Sequence, residues 1–529
     1  MSTVASPHQE KAPAIAGVPK GWVRARVEDI LVQGSPVVYG ILQPGPDTPG
    51  GVPYIRPTEI DRDVIQVEEL RRTVPAIAAR YKRSEVRSGD VILTIVGTIG
   101  KVAVVPNGLD GANITQSSCR LRADGRVLGS QYLAWAMRSP ALRAQFDKLR
   151  LGTAVPRLNI AHVRGLLVPI APIQAQRRIV AKIEELFSDL DAGVAALERV
   201  RANLKRYRAA VLKAAVEGHL TEEWRKQHTP PHTEPAVKLL ERILAERRAK
   251  WEQDQLRKFK EAGKTPPKGW REKYVGPRAP EVDALHELPT GWVWTTLDMI
   301  AENCGGITKG QKHSASTQLR DVPYLRVANV QRGYLDLSEI KTIPATDRDL
   351  EDLRLLPGDI LFNEGGDRDK LGRGWVWNGE IPECIHQNHV FRARLFLTDV
   401  QPKFVSHHGN SFGQLWFLRT GKQSVNLASI NLTVLRNFPV PLPPTAEQAE
   451  IVAEVDRRLS VADAAEQQVE HALQRAARLR QAILKLAFEG KLVPQDPTDE
   501  SAAALPEPKR PVLRAQLALA SDRKWRATP

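Results

Sequence analysis

Between Asn363 and Gly374 the chain runs Asn-Glu-Gly-Gly-Asp-Arg-Asp-Lys-Leu-Gly-Arg-Gly. Arg368, Lys370 and Arg373 are donors suited to phosphate oxygens or to guanine O6 and N7. The acids between them suit the amino group of cytosine, and the glycines let a backbone come close to a duplex. The loop carries three basic and three acidic side chains, so a solvated hairpin loop is the other reading. Arg56 and Arg326 each follow a Pro-Tyr-aliphatic triplet; a shared contact and a shared structural ion pair explain them equally. Arg157 and Asn159 close the segment Thr153–Asn159 ahead of a long helical pattern, where Asn159 also suits a turn. Lys101 and Asn329 complete this set of candidate nucleic-acid contacts.

Catalytic constellations are hard to find. Gly97-Thr98-Ile99-Gly100-Lys101 resembles part of a phosphate loop, but Ile95 stands where the first glycine belongs and Val102 where Ser or Thr is required. No Gly-x-Gly-x-x-Gly opens a strand–helix–strand unit, and no Asn-Pro-Pro-aromatic stretch is present. His386/His389 and His407/His408 lack a convincing set of further ligands and read as satisfied loop histidines, so no metal site is expected. Cys119, Cys304 and Cys384 are odd in number and far apart, which excludes a disulfide framework and suits a reducing cytosol. The start, Met1 to Gly17, is polar and Ala/Pro-rich without a basic flank and apolar stretch, and no apolar run is long enough for a membrane span. These residues point to a soluble, cytoplasmic reader or adaptor with no catalytic residue. Lys and Arg number 76 against 61 Asp and Glu, a net charge of +15. A cationic surface attracts polyanions, and duplex DNA is the densest common candidate.

What positions the candidate residues is a duplication. Pro19-Lys20-Gly21-Trp22, Val52-Pro53-Tyr54-Ile55-Arg56 and Gly89-Asp90-Val91 recur as Pro289-Thr290-Gly291-Trp292, Val322-Pro323-Tyr324-Leu325-Arg326 and Gly358-Asp359-Ile360, at offsets of 270, 270 and 269. Asn159, Gln176 and Glu217-Gly218 recur as Asn431, Gln448 and Glu489-Gly490, all at an offset of 272. Pro267-Lys268-Gly269-Trp270 has no repeat body behind it. Each copy opens with short apolar runs punctuated by Gly, Pro and Asp, which read as strands and turns. Helices are expected near 130–148 and 412–419. Each copy then ends in a long apolar stripe. The first runs through Ile179, Ile183, Leu186, Leu190, Val194, Leu197, Val200, Leu204, Tyr207 and Val211. The second runs through Ile451, Val455, Leu459, Ala462, Val469, Leu473, Ala476, Leu479, Ile483 and Leu486. In the first the spacing averages about 3.6, the period of a single-faced helix. Thr445 and Gln448 suggest a capping box, and Gly218 and Gly490 sit where a helix-ending glycine belongs. So long a helix needs a partner helix, and the other copy in the same chain is the cheapest one; a homodimer is the alternative. Between the copies, Ala236–Ala262 is strongly charged and reads as a solvated connector helix. The stretch after Gly490 reads as a fraying tail.

Together these motifs resemble the specificity subunit of type I restriction–modification systems over nearly the whole chain. Each copy has Pro-x-Gly-Trp, Gly-Asp-aliphatic, a Val-Pro-rich run before a Gln, and a long helix finishing in Glu-Gly. First-copy Gln174-Ala175-Gln176 departs from the Glu447-Gln448 form of the second. The resemblance implies an α+β architecture: two repeated mixed α/β target-recognition domains separated by two long antiparallel helices that form an intramolecular coiled coil. The division expected is 1–18 disordered, 19–172 first recognition domain, 173–222 first long helix and 223–285 charged connector. It continues as 286–444 second recognition domain, 445–492 second long helix and 493–529 tail. It further implies that each domain reads half of a bipartite, asymmetric site in double-stranded DNA. Two methyltransferase subunits would dock on the helices, with Ile179, Ile183, Leu186, Leu190, Leu197, Leu204, Ile451, Val455, Leu459, Leu473 and Ile483 as coiled-coil or docking positions. Restriction/translocase subunits would join that core. AdoMet, ATP and Mg²⁺ would belong to those partners, with no cofactor on this chain. A coiled-coil adaptor without DNA readout and a self-contained DNA-modifying enzyme are the rival readings.

Paired helices between two readers make a ruler. Half-sites on one face of a duplex lie about 34 Å apart, and four residues added to both helices lengthen them by about 6 Å. At about 3.4 Å per base pair, the non-specific spacer of the recognised site should grow by one or two pairs. Sequencing the methylated bases of a host carrying the lengthened protein checks this, and an unchanged spacer counts against the ruler.

Overall fold

The computed structural model describes residues 19–152, 155–228, 234–310, 314, 317–366, 370–423 and 428–504. The expected disordered start, 1–18, and the end of the expected tail, 505–529, lie outside the described residues. The chain forms two compact units. The first runs to Glu198 and takes up the chain again from Glu470; the second is Arg199–Val469. No described helix is long and apolar enough to cross a membrane.

The duplication seen as spaced motifs is a duplication of topology. In the first unit Val91–Thr94, buried throughout, sits between Ser118–Leu121 and Val102–Val104, with Val38–Tyr39 on the far side of Ser118–Leu121. In the second, Ile360–Asn363 lies between Val390–Leu395 and Gly374–Val376, with Ala301–Cys304 on the outer edge. A three-stranded sheet accompanies each. Val52–Ile55 pairs antiparallel with Arg71–Thr73 and parallel with Asn113–Ile114; Arg320–Leu325 pairs antiparallel with Lys341–Ala345 and parallel with Ile385–His386. A two-stranded ribbon closes each domain, Val23–Arg26 on Leu167–Ile170 and Val293–Thr296 on Pro439–Leu442. The expected helix at 130–148 is two, Ser130–Arg138 and Pro140–Leu149, because Ser139 is extended and its hydroxyl caps the next turn. Its counterpart is one longer helix, Pro402–Thr420.

The long helices are Ile173–Val216 and Thr445–Phe488. In the first unit Ile179, Ile183 and Phe187 share a core with Ile483, Leu484, Ala487 and Phe488, and Asp191 pairs with Arg480. In the second, Val211 and Ala215 share a core with Ile451 and Val455, and Arg208 pairs with Asp463 and Glu466 at 2.6 and 2.7 Å. Rising numbers on one helix meet falling numbers on the other, so the segments run antiparallel in both units. The stripe read from the sequence is too broad for this seam. Val200, Tyr207 and Leu479 are 44%, 41% and 48% exposed, because a 3.6-residue period drifts off a 3.5-residue seam. Leu197, Leu204 and Leu473 are half-buried. Ile179, Ile183, Ile451 and Val455 are fully buried in their own units, with Leu186, Leu190 and Leu459 packed against them. The four buried residues therefore attach the helices to their domains and offer no surface to another subunit.

Both helices end as the glycines imply. His219 N bonds Ala214 O and Gly218 N bonds Ala215 O; Lys491 and Gly490 repeat the pattern on Leu486 and Ala487. This is the paired bonding of a Schellman cap, with φ of +76° and +69° at the two glycines. A methyl group on Gly218 would strike Pro289, and one on Gly490 would strike Pro19, so the Pro-x-Gly-Trp motif of each unit is a lid on a helix end. The helix starts are clamped differently from expectation. No capping box forms at Thr445, whose buried hydroxyl has no partner. Gln448 instead accepts Gln401 N at 2.8 Å and donates to Pro443 O at 2.8 Å, while Gln176 accepts Gly129 N at 3.1 Å and donates to Ala171 O at 2.9 Å.

Two further expectations are corrected. Ala236–Glu261 is docked rather than solvated: Ala236, Leu239 and Ile243 are fully buried, and Arg247 and Lys250 pair with Asp298 and Glu302. Trp270 of the unrepeated Pro-Lys-Gly-Trp stacks on Trp251 of that helix with centroids 5.8 Å apart. The tail is also held, as far as residue 504. Gln495 accepts the Trp22 indole, Arg178 pairs with Asp499 at 2.5 Å, and Ala502 is buried.

In the second unit the indole of Trp292 donates to Glu447 at 2.8 Å, Thr221 donates to the same carboxylate at 2.7 Å, and Arg225 pairs with it. In the first unit Ala175 stands in place of Glu447, and the Trp22 indole finds Gln495 instead. Removing a buried, paired carboxylate leaves its partners unsatisfied and costs roughly 3–5 kcal/mol. Glu447→Ala should therefore lower the thermal unfolding midpoint markedly, and Glu447→Gln, which keeps an acceptor, should do so less. Equal midpoints for wild type and Glu447→Ala would remove the anchor role.

Candidate nucleic-acid interface

Five of the candidate contact residues gather around one turn in each domain, Arg56 and Lys101 in the first and Arg326, Asn329 and Arg373 in the second. In the first unit the chain leaves Val52–Ile55 through a 3₁₀ turn, Pro57–Glu59. Glu59 is 2% exposed and accepts Arg56 N at 2.7 Å, Arg56 Nε at 2.8 Å and the Thr58 hydroxyl at 2.8 Å. Burial pushes the Glu59 carboxyl up, but the hydrogen bonds from Arg56 and Thr58 outweigh it and hold the group below its ordinary range. The hydrogen bond to Glu59 in turn raises Arg56. Lys101, from the turn before Val102–Val104, donates to Pro57 O at 3.0 Å and Ile60 O at 2.8 Å. Arg56 and Lys101 are therefore tied to one loop of their own domain.

The second unit builds the same turn from different groups. Asn329 accepts Arg326 N at 2.9 Å, three residues apart as Glu59 is from Arg56. Its amide donates to Asp336 O at 2.9 Å and Glu339 O at 3.0 Å, and Arg326 Nη2 reaches Glu339 O at 3.1 Å. Asn329 is 3% exposed, so it organises the loop and has no face left for a base. Of the two readings of the Arg56/Arg326 pair, the local structural one matches these contacts. Arg373 donates to the Gln331 side chain at 2.7 Å. Lys370 is half-buried, and Arg368 lies outside the described residues. The glycine-rich loop is anchored at its base, where Asn363 is fully buried and donates to Val330 O at 2.9 Å.

Arg157 and Asn159 are exposed. Arg157 bridges Leu151 and Val96, which sets its loop beside Gly97, whose amide donates to Pro156 O at 2.9 Å. Thr153 and Ala154 lie outside the described residues. Asn159 precedes the short helix Ile160–Arg164 without capping it, whereas Asn431 accepts Val434 N and caps Leu432–Arg436. The sequence reading passed over the hairpins at 60–65 and 330–335. In the first of these, Asp61-Arg62-Asp63-Val64 contains neither the glycine nor the asparagine that marks a two-residue turn.

Of the four histidines noted in the sequence, His386, His407 and His408 are core groups, while His389 is exposed and pairs with Glu364. His407 and His408 lie on the helix Pro402–Thr420, not on a loop; His386 ends a strand, with Nδ1 2.6 Å from Val390 O. Among the described residues no cluster of three or more His, Cys, Asp or Glu is placed to hold a metal ion.

Two copies of one domain, each with cationic side chains locked around a turn, define a duplicated scaffold that carries variable loops. No protein-family model matches the chain. It is 29% identical over 234 residues to the type I restriction enzyme EcoBI specificity subunit of Escherichia coli, covering 44% of this chain and 49% of that one. It is 26% identical over 380 residues to the EcoKI specificity subunit of Escherichia coli strain K12, covering 71% and 68%. The StySPI specificity subunit of Salmonella potsdam is 25% identical over 375 residues, covering 70% and 67%. The match to the EcoBI subunit thus spans about half of that subunit's length. A solved chain from work on complex assembly and conformational transition of the type I R-M system shares the fold. That chain gives a TM-score of 0.56 at 21% identity, covering 90% of this chain and 99% of that one. The proteins that the chain resembles in sequence are all specificity subunits of type I restriction enzymes.

Burial pushes His386 and His407 down to about 4 and His408 to about 3. Unfolded histidine binds its proton near pH 6.5, so stability is complete above that value and falls as the pH drops toward the folded values. At pH 5 the loss is about 2 kcal/mol per histidine. The first unit, whose described histidines are the half-buried His162 and the exposed His471, lacks such a group. Hydrogen exchange on the full chain should therefore show the second unit losing protection between pH 7 and pH 5 before the first. Parallel loss in both units would contradict the assignment.

Proposed function

We propose that this chain is the non-catalytic DNA-reading subunit of a type I restriction–modification complex. Each unit recognises one half of a bipartite, asymmetric site in double-stranded DNA, and two methyltransferase subunits and the restriction/translocase subunits assemble on the chain. AdoMet, ATP and Mg²⁺ act on those partners. The setting is the cytoplasm, where the DNA is. The observation that carries this reading is the repetition of one topology with different residues on its turns, in a chain similar to named specificity subunits. A repeated scaffold supplies two equivalent platforms, and unlike turns supply two unlike half-sites. The charge of +15 favours a polyanionic partner over an adaptor that never meets DNA.

Exchange of residues 20–170 for the same domain of a related subunit tests it. The methylated sequence in a host carrying the exchanged protein should change in one half-site and keep the other half and the spacer. A change in both halves, or in neither, would refute the assignment of one unit to one half-site.

A further inference from the structure

In both units one hairpin is fastened at equivalent positions while its tip differs. In the first, Ile60 pairs with Ile65 and Gln66 N donates to Glu59 O at 2.8 Å. In the second, Val330 bridges Leu335 and Asp336 N donates to Asn329 O at 2.8 Å, every position at an offset of 270 from its counterpart. Lys101 holds the first hairpin through Ile60 O; at an offset of 272, Arg373 holds the second through Gln331. Arg138, 5% exposed and stacked over Trp135 at 4.4 Å, donates to Val102 O at 2.7 Å and reaches the Asp63 carboxylate at 3.3 Å. Its equivalent at the same offset is Asn410, whose carbonyl accepts Arg332 at 2.6 Å and whose amide donates to Gly374 O at 2.7 Å.

The tip of the first hairpin is strained. Arg62 and Asp63 have φ of +43° and +69°, and Gly333 occupies the Asp63 position at +85°. A turn that only reversed the chain would favour Asn-Gly. Strain of this kind persists where surrounding contacts over-determine it, and it concentrates at ligand-contacting sites. Here it presents an exposed guanidinium on a fixed backbone, and Arg62 makes no hydrogen bond or ion pair to any described residue. Asp61 and Asp63 flank it, so the tip as a whole carries one net negative charge and is a poor phosphate clamp. A rigid arginine fork is instead the group that reads guanine.

We propose that this hairpin is the specificity-determining element of the first unit, with Arg62 donating to O6 and N7 of a guanine in its half-site. The inference rests on the reading of the chain as a DNA specificity subunit. The second unit also has an arginine at the position of Arg62, Arg332, but it is half-buried and donates to Asn410 O at 2.6 Å. The exposed group there is Tyr334, 57% exposed, at the place of Val64, so its hairpin offers different chemistry to its own half-site.

The test uses the full chain assembled with its methyltransferase subunits and DNA carrying single base changes across the methylated site. Arg62→Ala should lose roughly 5- to 100-fold of discrimination at one G·C pair of one half-site, with the other half-site and the melting temperature unchanged. Arg62→Gly, which relieves the φ, should fold at least as well and read like Arg62→Ala; Arg62→Lys should not restore the preference. A loss uniform over all sequences, with a shallower salt dependence, would mark a phosphate contact and overturn the proposal. Unchanged discrimination in Arg62→Ala and Arg62→Gly would overturn it too. A wild-type complex that prefers no sequence at all would instead bring down the DNA reading on which it rests.

Discussion

A helix of 44 residues with one apolar face has to hide that face, and in each unit it does so at its ends. The start is pinned by a buried glutamine, Gln176 or Gln448, that bonds the backbone on both sides of it. The finish is pinned by a left-handed glycine with a proline of the Pro-x-Gly-Trp motif against it, Pro289 at Gly218 and Pro19 at Gly490. The domain that receives a helix end is not the one that precedes the helix in sequence. The helix following the first domain ends on the lid of the second unit, and the helix following the second ends on the lid of the first. The first unit is therefore assembled from two distant stretches of chain, and Leu492, Val493 and Ala502 of the tail pack into its core.

The same task is met by different residues in the two units. Each helix-ending glycine has its carbonyl capped by a side chain, Arg225 Nη2 in one unit and Gln495 Nε2 in the other, both at 2.8 Å. Each lid tryptophan has its indole satisfied, by Glu447 or by Gln495. A buried indole N–H without an acceptor is destabilising, and where Ala175 offers no carboxylate a different acceptor, Gln495, serves the indole of Trp22. The two acceptors lie on different segments. The demand is set by the fold, while the residue that meets it is free to vary.

That distinction also separates what was legible in the sequence from what was not. The repeat, the two long helices, their glycine ends and the family resemblance all follow from spacing, because a motif kept at a constant offset survives substitution between its landmarks. Docking of Ala236–Glu261 was hidden because Ala236, Leu239 and Ile243 are a short buried stripe inside a densely charged helix. Burial of His407 and His408 was hidden because hydrogen-bonded and aromatic surroundings, such as Pro439 O and the ring of Phe438 against His408, come from distant segments. The contact residues fared similarly. Asn329 and Arg56 carry side chains that suit a base or a phosphate, and only their partners, which spacing does not specify, show them holding a turn.

A loop that reads must be stiff, since a mobile side chain loses selectivity to entropy. Stiffness requires partners, so most polar side chains near such a loop are engaged inside the protein. Arg56, Lys101, Arg138, Arg326, Asn329 and Arg373 are of this kind, each bonded to the backbone or side chain of a neighbouring turn. Residue type alone therefore overstates the number of reading groups in a cationic loop-rich domain and understates the number of supports. The anchors are set at equivalent positions in the two units, the hairpins they hold have the same length, and the side chains left facing outward are unlike: Arg62 in one and Tyr334 in the other. A scaffold arranged so can change its outward group without disturbing its supports, which is what the proposed reading of two different half-sites by one repeated fold requires.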